Sequence, residues 1–144
     1  MAVLGIDYGA KKIGLAKSDE LGHLALPLTV LIGKSKAEVL KFINESIKEH
    51  SISTIVVGVP ISLSSGADTL LRPVDYANKQ MQEVLGFIDW LKKNVSVPVA
   101  MEDERLSTKL ARGLRKDLVK QGPDDAVAAM LVLQSYLDKQ DFKS

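Results

Sequence analysis

The chain is predicted to fold as a single α/β domain: a mixed five-stranded sheet with helices on both faces. Three observations predict it. Three apolar or alternating segments follow one another between Ala2 and Ile32 with only short turns between them, as in an antiparallel meander. Beyond Ile32, two further short apolar runs each follow a segment of helical periodicity. The length, 144 residues with 46% apolar and 26% charged, fills one core but not two lobes.

Residues 3–7 read as a buried strand, 12–18 as a second and 24–32 as a third, with turns at Gly9-Ala10 and Glu20-Leu21-Gly22. Ser35-Lys36-Ala37-Glu38 is a capping box that opens a helix to about His50, with Val39, Leu40, Ile43 and Ile47 on one face. Residues 54–59 form a short continuous apolar strand of the kind buried on both sides. A polar, serine-rich loop fills 60–73. A long helix follows over about 74–94, its stripe made of Ala77, Met81, Val84, Leu85, Ile88 and Leu91. Residues 97–101 are the fifth strand. Residues 107–116 are helical, Gln121-Gly122-Pro123 interrupts that pattern, and Asp124 caps a last helix through Asp138. The predicted order is βββαβαβαα over one domain, residues 1–144, with no repeat or low-complexity tract.

Composition excludes several chemistries. With no cysteine there is no disulfide, thiolate metal site or cysteine nucleophile, and two histidines, His23 and His50, are too few for a histidine-rich zinc site. No apolar stretch reaches the length of a membrane span, and Met1 leads straight into a strand, so no membrane partner and a cytoplasmic location are expected. The net charge of +1 hides basic clusters: Arg105, Lys109, Arg112, Arg115, Lys116 and Lys120 face Asp117 alone, and Lys11, Lys12 and Lys17 follow Asp7. Isolated runs of this kind are usually solvated faces. Here they flank acidic clusters, which favours a polyanion steered towards metal.

Asp7 closes the first strand just before a glycine-bearing turn, Tyr8-Gly9. A carboxylate at a strand end is held rigidly enough to carry a divalent ion, although an isolated Asp-x-Gly usually caps a turn. Two further acidic clusters, Glu102-Asp103-Glu104 and Asp124-Asp125, also lie at element boundaries. Either has an ordinary explanation, a surface acid beside Arg105 or a helix cap. Together, carboxylates from three separated elements suggest a metal site acting on phosphate. Gly33-Lys34-Ser35 mimics the end of a P-loop, but Thr29-Val30-Leu31-Ile32 before it cannot wrap a triphosphate. Ser62-Leu63-Ser64-Ser65-Gly66 does not fit a nucleophile elbow, and Trp90 is expected to pack rather than stack a base.

At these residues the chain resembles the YqgF (RuvX) family, relatives of the RuvC resolvases with a ribonuclease H-like fold. The matching segments are Gly5-Ile6-Asp7-Tyr8-Gly9, Lys12-Ile13-Gly14-Leu15-Ala16, Val56-Val57-Gly58-Val59-Pro60, Asp103-Glu104-Arg105-Leu106-Ser107-Thr108, Asp125-Ala126-Val127-Ala128-Ala129 and Leu133-Gln134-Ser135-Tyr136-Leu137. They cover nearly the whole chain in the family's order, and the core βββαβαβα order is the ribonuclease H order. The resemblance implies a metal-dependent endonuclease with Asp7, Glu104 and Asp125 as catalytic residues and metal ligands; Asp103 is the alternative to Glu104. The cofactor implied is Mg²⁺ or Mn²⁺, as a pair of ions roughly 4 Å apart. Lys12, Arg105, Thr108, Lys109 and Arg112 are expected to contact nucleic acid. The chain departs from the family in having Lys12 for an arginine, in residues 67–76, and in a shorter stretch between Ala111 and Asp125.

Implied functions are 5′-end processing of pre-16S rRNA during ribosome biogenesis or, alternatively, resolution of Holliday junctions in DNA. Partners would be pre-rRNA or branched DNA and ribosomal precursor particles, with the chain a monomer or weak homodimer. A non-catalytic RNA-binding assembly factor is the reading from a different class. A third, an actin-like sugar kinase using residues 7–19 as a phosphate hairpin, would need two lobes.

Overall fold

Alternation along the strands decides which side of the sheet each residue serves. The computed structural model of the chain describes residues 2–9, 11–60, 75–103 and 124–143, with side chains described for all of these but 75–78, 124–125 and 141–143. Its elements are β1 (Ala2–Tyr8), β2 (Lys12–Ser18), β3 (Ala25–Ile32), α1 (Lys36–Glu49), β4 (Ile52–Val59), α2 (Asp75–Asn94), β5 (Val99–Asp103) and α3 (Asp124–Lys143). The strands form a five-stranded sheet in the order β3-β2-β1-β4-β5. β1, β2 and β3 pair antiparallel, as short turns require, and β1-β4 and β4-β5 pair parallel across helical connections. The helix expected over 107–116 and the loop expected over 60–73 lie outside the described residues, apart from Pro60.

Leu4, Ile6, Ile55, Val57 and Val59 face one side and pack with Val39 and Ile43 of α1 and Val84, Phe87, Ile88 and Leu91 of α2. Val3, Ala16 and Val56 face the other and pack with Ala129, Val132, Leu133 and Leu137 of α3. Helices therefore cover both faces, and each fully buried Leu or Ile contributes about 1.5–3 kcal/mol of transfer free energy. None of the helices among the described residues is long and apolar enough to cross a membrane.

The capping box forms as its residues dictate: Ser35 Oγ accepts from the Glu38 N–H and Glu38 Oε1 accepts from the Ser35 N–H, both at 3.2 Å. On α2 the stripe holds at Val84, Ile88 and Leu91, with Met81 and Leu85 partly buried; Phe87, not anticipated, is buried too.

The fifth strand corrects the sequence expectation. It runs Val99–Asp103 rather than 97–101. Pro98 has no N–H for a ladder, and its carbonyl accepts from the Ile55 N–H at 2.9 Å, so register pairing begins after it. At the other end Glu102 and Asp103 stay paired opposite Gly58 and Val59. Both acids are strand residues with defined facing. The last helix continues past Asp138 to Lys143.

Candidate active site

Asp7 and Glu102 share a face of the sheet. Gly5 lies against α3, and Asp7, two residues on, has the same facing. Gly58 also lies against α3, and Glu102 is its direct partner on β5. The β1-β4 register, Gly5 to Val56 and Ile6 to Val57, carries forward to set Asp7 beside Gly58. The result is a row across three strands, acid, glycine, acid, with the two acids' backbones roughly 10 Å apart at two strand spacings. Asp103 falls on the opposite face by alternation.

α3 comes this close because the sheet under it has glycine at two contact positions, Gly5 and Gly58. A Cβ on Gly5 would stand 2.7 Å from Leu133 Cβ and 3.1 Å from Ala129 O, and one on Gly58 2.9 Å from Val132 Cγ2. Later residues of α3 reach the end of the sheet where β1 begins: Leu137 clusters with Val3, and the Gln134 side chain accepts from the Ala25 N–H (2.9 Å) and donates to the His23 carbonyl (3.0 Å). Its first turn is therefore directed towards the end where β1 stops. Asp125 precedes Ala129 by one turn there, and its backbone is described but its side chain is not.

The β1-β2 turn is tight. The Gly9 N–H donates to the Lys12 carbonyl at 2.9 Å, and a Cβ on Gly9 would sit 2.7 Å from that oxygen, so only glycine fits. Asp7 pairs with Gly14, which places exposed Lys12 two residues away on the same face, diagonal to Asp7 at roughly 7–8 Å between backbones. Lys17 does not belong to this cluster. It lies near the other end of β2, its Nζ 3.4 Å from Nδ1 of His50, which serves as the C-cap of α1.

Among the sequence candidates, Asp7 and Lys12 are thus brought together, with the start of α3 pointing at them. Glu104, Arg105, Thr108, Lys109 and Arg112 lie outside the described residues. Among the described residues no three His, Asp or Glu side chains group to hold a metal. The Asp7 carboxylate, on a rigid strand end, nevertheless suits a hard divalent cation, whereas Glu102 on the same face is engaged by Lys139 Nζ at 2.6 Å. Glu102 was not singled out from its acidic cluster by sequence reasoning, because the expected strand ended at Met101 and left Glu102 without a facing. Trp90 packs as expected, its ring 5.7 Å from that of Phe87. Phe87 in turn stacks on Tyr8 at 4.3 Å, anchoring the residue after Asp7 to α2.

A βββαβαβα chain with this strand order, β1 at the centre of the sheet, has the ribonuclease H-like fold. The solved structures agree on the fold. Thermus thermophilus RuvC in complex with a Holliday junction substrate superposes with a TM-score of 0.61 at 15% identity, covering 98% of this chain and 96% of that one. The fowlpox virus Holliday junction resolvase gives 0.51 at 11% identity, covering 96% and 99%. Relatives are nearer in sequence. A Rickettsia typhi protein named as a candidate pre-16S rRNA nuclease is 35% identical over 143 residues, 94% of this chain and 84% of its own. One of the same name from Clostridium acetobutylicum is 36% identical, covering 96% and 98%. The family model described as "RuvX: Holliday junction resolvase" matches residues 1–139. The chain belongs to the RuvX family, and with it to the hydrolytic endonucleases.

Proposed function

We propose that this chain is a divalent-metal-dependent endonuclease that processes the 5′ end of pre-16S rRNA in the cytoplasm, working as a monomer on a ribosomal precursor. The observation that carries the reading is Asp7: a partly exposed carboxylate at the end of the central strand, on the face towards which α3 directs its first turn. Relatives named for pre-16S rRNA cleavage supply the substrate. Asp7, Glu104 and Asp125 would hold Mg²⁺ or Mn²⁺. Glu104 is preferred over Asp103 because Asp103 belongs to the face opposite Asp7. When bound, such ions supply an activated water and charge neutralisation at the scissile phosphate. The chain's own part is to orient that phosphate: Lys12, diagonal to Asp7, holds a non-bridging oxygen, and Arg105, Thr108, Lys109 and Arg112 hold flanking phosphates without reading bases.

Resolution of a four-way DNA junction is the second reading, favoured by the description of the family model that the chain matches. Paired cuts there call for a symmetric dimer. One experiment separates them. Wild type and Asp7→Asn are given a pre-16S rRNA leader and a synthetic four-way junction, with Mg²⁺ and with Mn²⁺. Leader cleavage lost in Asp7→Asn supports the proposal, and junction cleavage supports the alternative. RNA binding by both proteins with no cleavage of either substrate would instead make the chain a non-catalytic assembly factor.

A further inference from the structure

Gly33-Lys34-Ser35 is no P-loop, yet the fold carries it to the Asp7 end of the sheet. The Gly33 N–H donates to the Lys11 carbonyl at 3.1 Å, and Ile32 pairs with Lys12, so the β3-α1 connection lies directly against the β1-β2 turn. Gly33 takes a left-handed φ of +62°, open to glycine at no cost, and this turns the chain into the Ser35 cap. Lys11, Lys12, Lys34 and Lys36 are all exposed there. Glu38 stands only 3.8 Å from Lys34, with both side chains about half exposed, 48% and 58%, a contact that a phosphate can displace. The Glu38 carboxylate is already engaged by the Ser35 N–H. Lys36 Nζ lies 6.0 Å from the centroid of Trp90 on α2, which covers the face opposite Asp7. The ammonium groups thus run from the Asp7 face at Lys12, round the end of the sheet, to the far face at Lys36.

We propose that Lys34 and Lys36, continuing from Lys11 and Lys12, form a phosphate track that leads the nucleic-acid backbone away from Asp7 and round the end of the sheet. The track rests on the nuclease reading above and adds where the substrate strand leaves the site. Lysine ammonium groups are compact, flexible point charges without the fork that reads a base edge, so they suit a backbone followed irrespective of sequence. The hydrogen bond from Gly33 to Lys11 holds the two loops that carry these lysines side by side. Each phosphate neutralised along it releases condensed counterions, which makes the contribution measurable as a salt slope.

The test measures binding of a labelled pre-16S rRNA leader across a salt series, in EDTA and, in an Asp7→Asn background, in Mg²⁺. The proteins compared are wild type, Lys34→Gln/Lys36→Gln, Lys34→Arg/Lys36→Arg, and Lys48→Gln, an exposed control in the last turn of α1. The Gln pair is expected to bind more weakly, with the slope of log K against log salt reduced by roughly 1.4, two phosphates at about 0.7 each for a single strand. The Arg pair should keep the slope, and Lys48→Gln should match wild type. A Gln pair with wild-type affinity and slope overturns the track and leaves the nuclease reading standing. An equal loss in Lys48→Gln overturns it too, because the effect would then be diffuse charge. Absence of RNA binding both by wild type in EDTA and by Asp7→Asn with its lysines intact in Mg²⁺ overturns both.

Discussion

Lys139 Nζ stands 2.6 Å from Glu102 Oε1 and neutralises a carboxylate that is only 3% exposed, on the strand face shared with Asp7. The contact is charge-assisted and ties the later part of α3 to β5, the edge strand that leads into Glu104.

Removing one partner of this pair is expected to cost more than removing both. Lys139→Met leaves Glu102 buried without its ammonium, which should lower stability by roughly 1–3 kcal/mol. Glu102→Gln combined with Lys139→Met should recover much of that loss, because the buried charge itself is gone. Urea denaturation of both singles and the double gives the coupling directly. Additive singles would mean that the pair is a surface contact of little consequence.

Gly5 and Gly58 should respond differently to alanine, although α3 covers both. At Gly5 the new methyl meets Leu133 Cβ at 2.7 Å and the Ala129 carbonyl at 3.1 Å, next to backbone that cannot rotate aside. Gly5→Ala is therefore expected to destabilise at the upper end of the roughly 1–3 kcal/mol seen for overpacking. At Gly58 the obstacle is the Val132 side chain, at 2.9 Å from Cγ2. Val132→Ala should rescue Gly58→Ala and not Gly5→Ala, as read by thermal unfolding.

Asp19 introduces an acid-sensitive element in the β2-β3 turn. Its carboxylate accepts the His23 N–H at 2.8 Å and the Leu24 N–H at 3.2 Å, and these bonds hold its pKa below the ordinary 3.8. A depressed acid contributes stability that is fully present above its unfolded pKa and is lost as pH falls through the folded one. Denaturant midpoints measured downward from about pH 5 should therefore fall less steeply in Asp19→Asn than in wild type below the ordinary aspartate range. Parallel curves for the two proteins would mean that the turn does not depend on the ionised carboxylate.

Asp7→Asn should separate activity from stability. Asn keeps the shape of the side chain and removes the charge that would hold a cation, so the variant is expected to fold in EDTA while losing cleavage. Mg²⁺ should raise the melting temperature of wild type more than that of Asp7→Asn, because only a folded site with its full ligand set gains from binding. Equal Mg²⁺ shifts would place the ion elsewhere.

Local chemistry made most of the elements legible. Ser35 and Glu38 announce α1 by a reciprocal cap that needs no distant partner, and both bonds form. The alternation through the first three strands and the short turns between them dictate an antiparallel meander, and Asp7 at its first strand end is visible for the same reason. The fifth strand was less legible: Val97 looks like its start, but Pro98 cannot join the ladder, and the pairing of Glu102 and Asp103 with β4 is a long-range fact.

The sequence by itself determined the order of elements, the caps, and the acids available at their ends. Tertiary structure decided facing and adjacency: that Glu102 and not Asp103 shares a face with Asp7, that Lys17 leaves the basic cluster, and that Gly33-Lys34 joins it through Lys11. The physical reason is that a strand's side-chain period is two, so a one-residue change in register reverses every side chain. That register is set by pairing with strands tens of residues away, which no local pattern encodes.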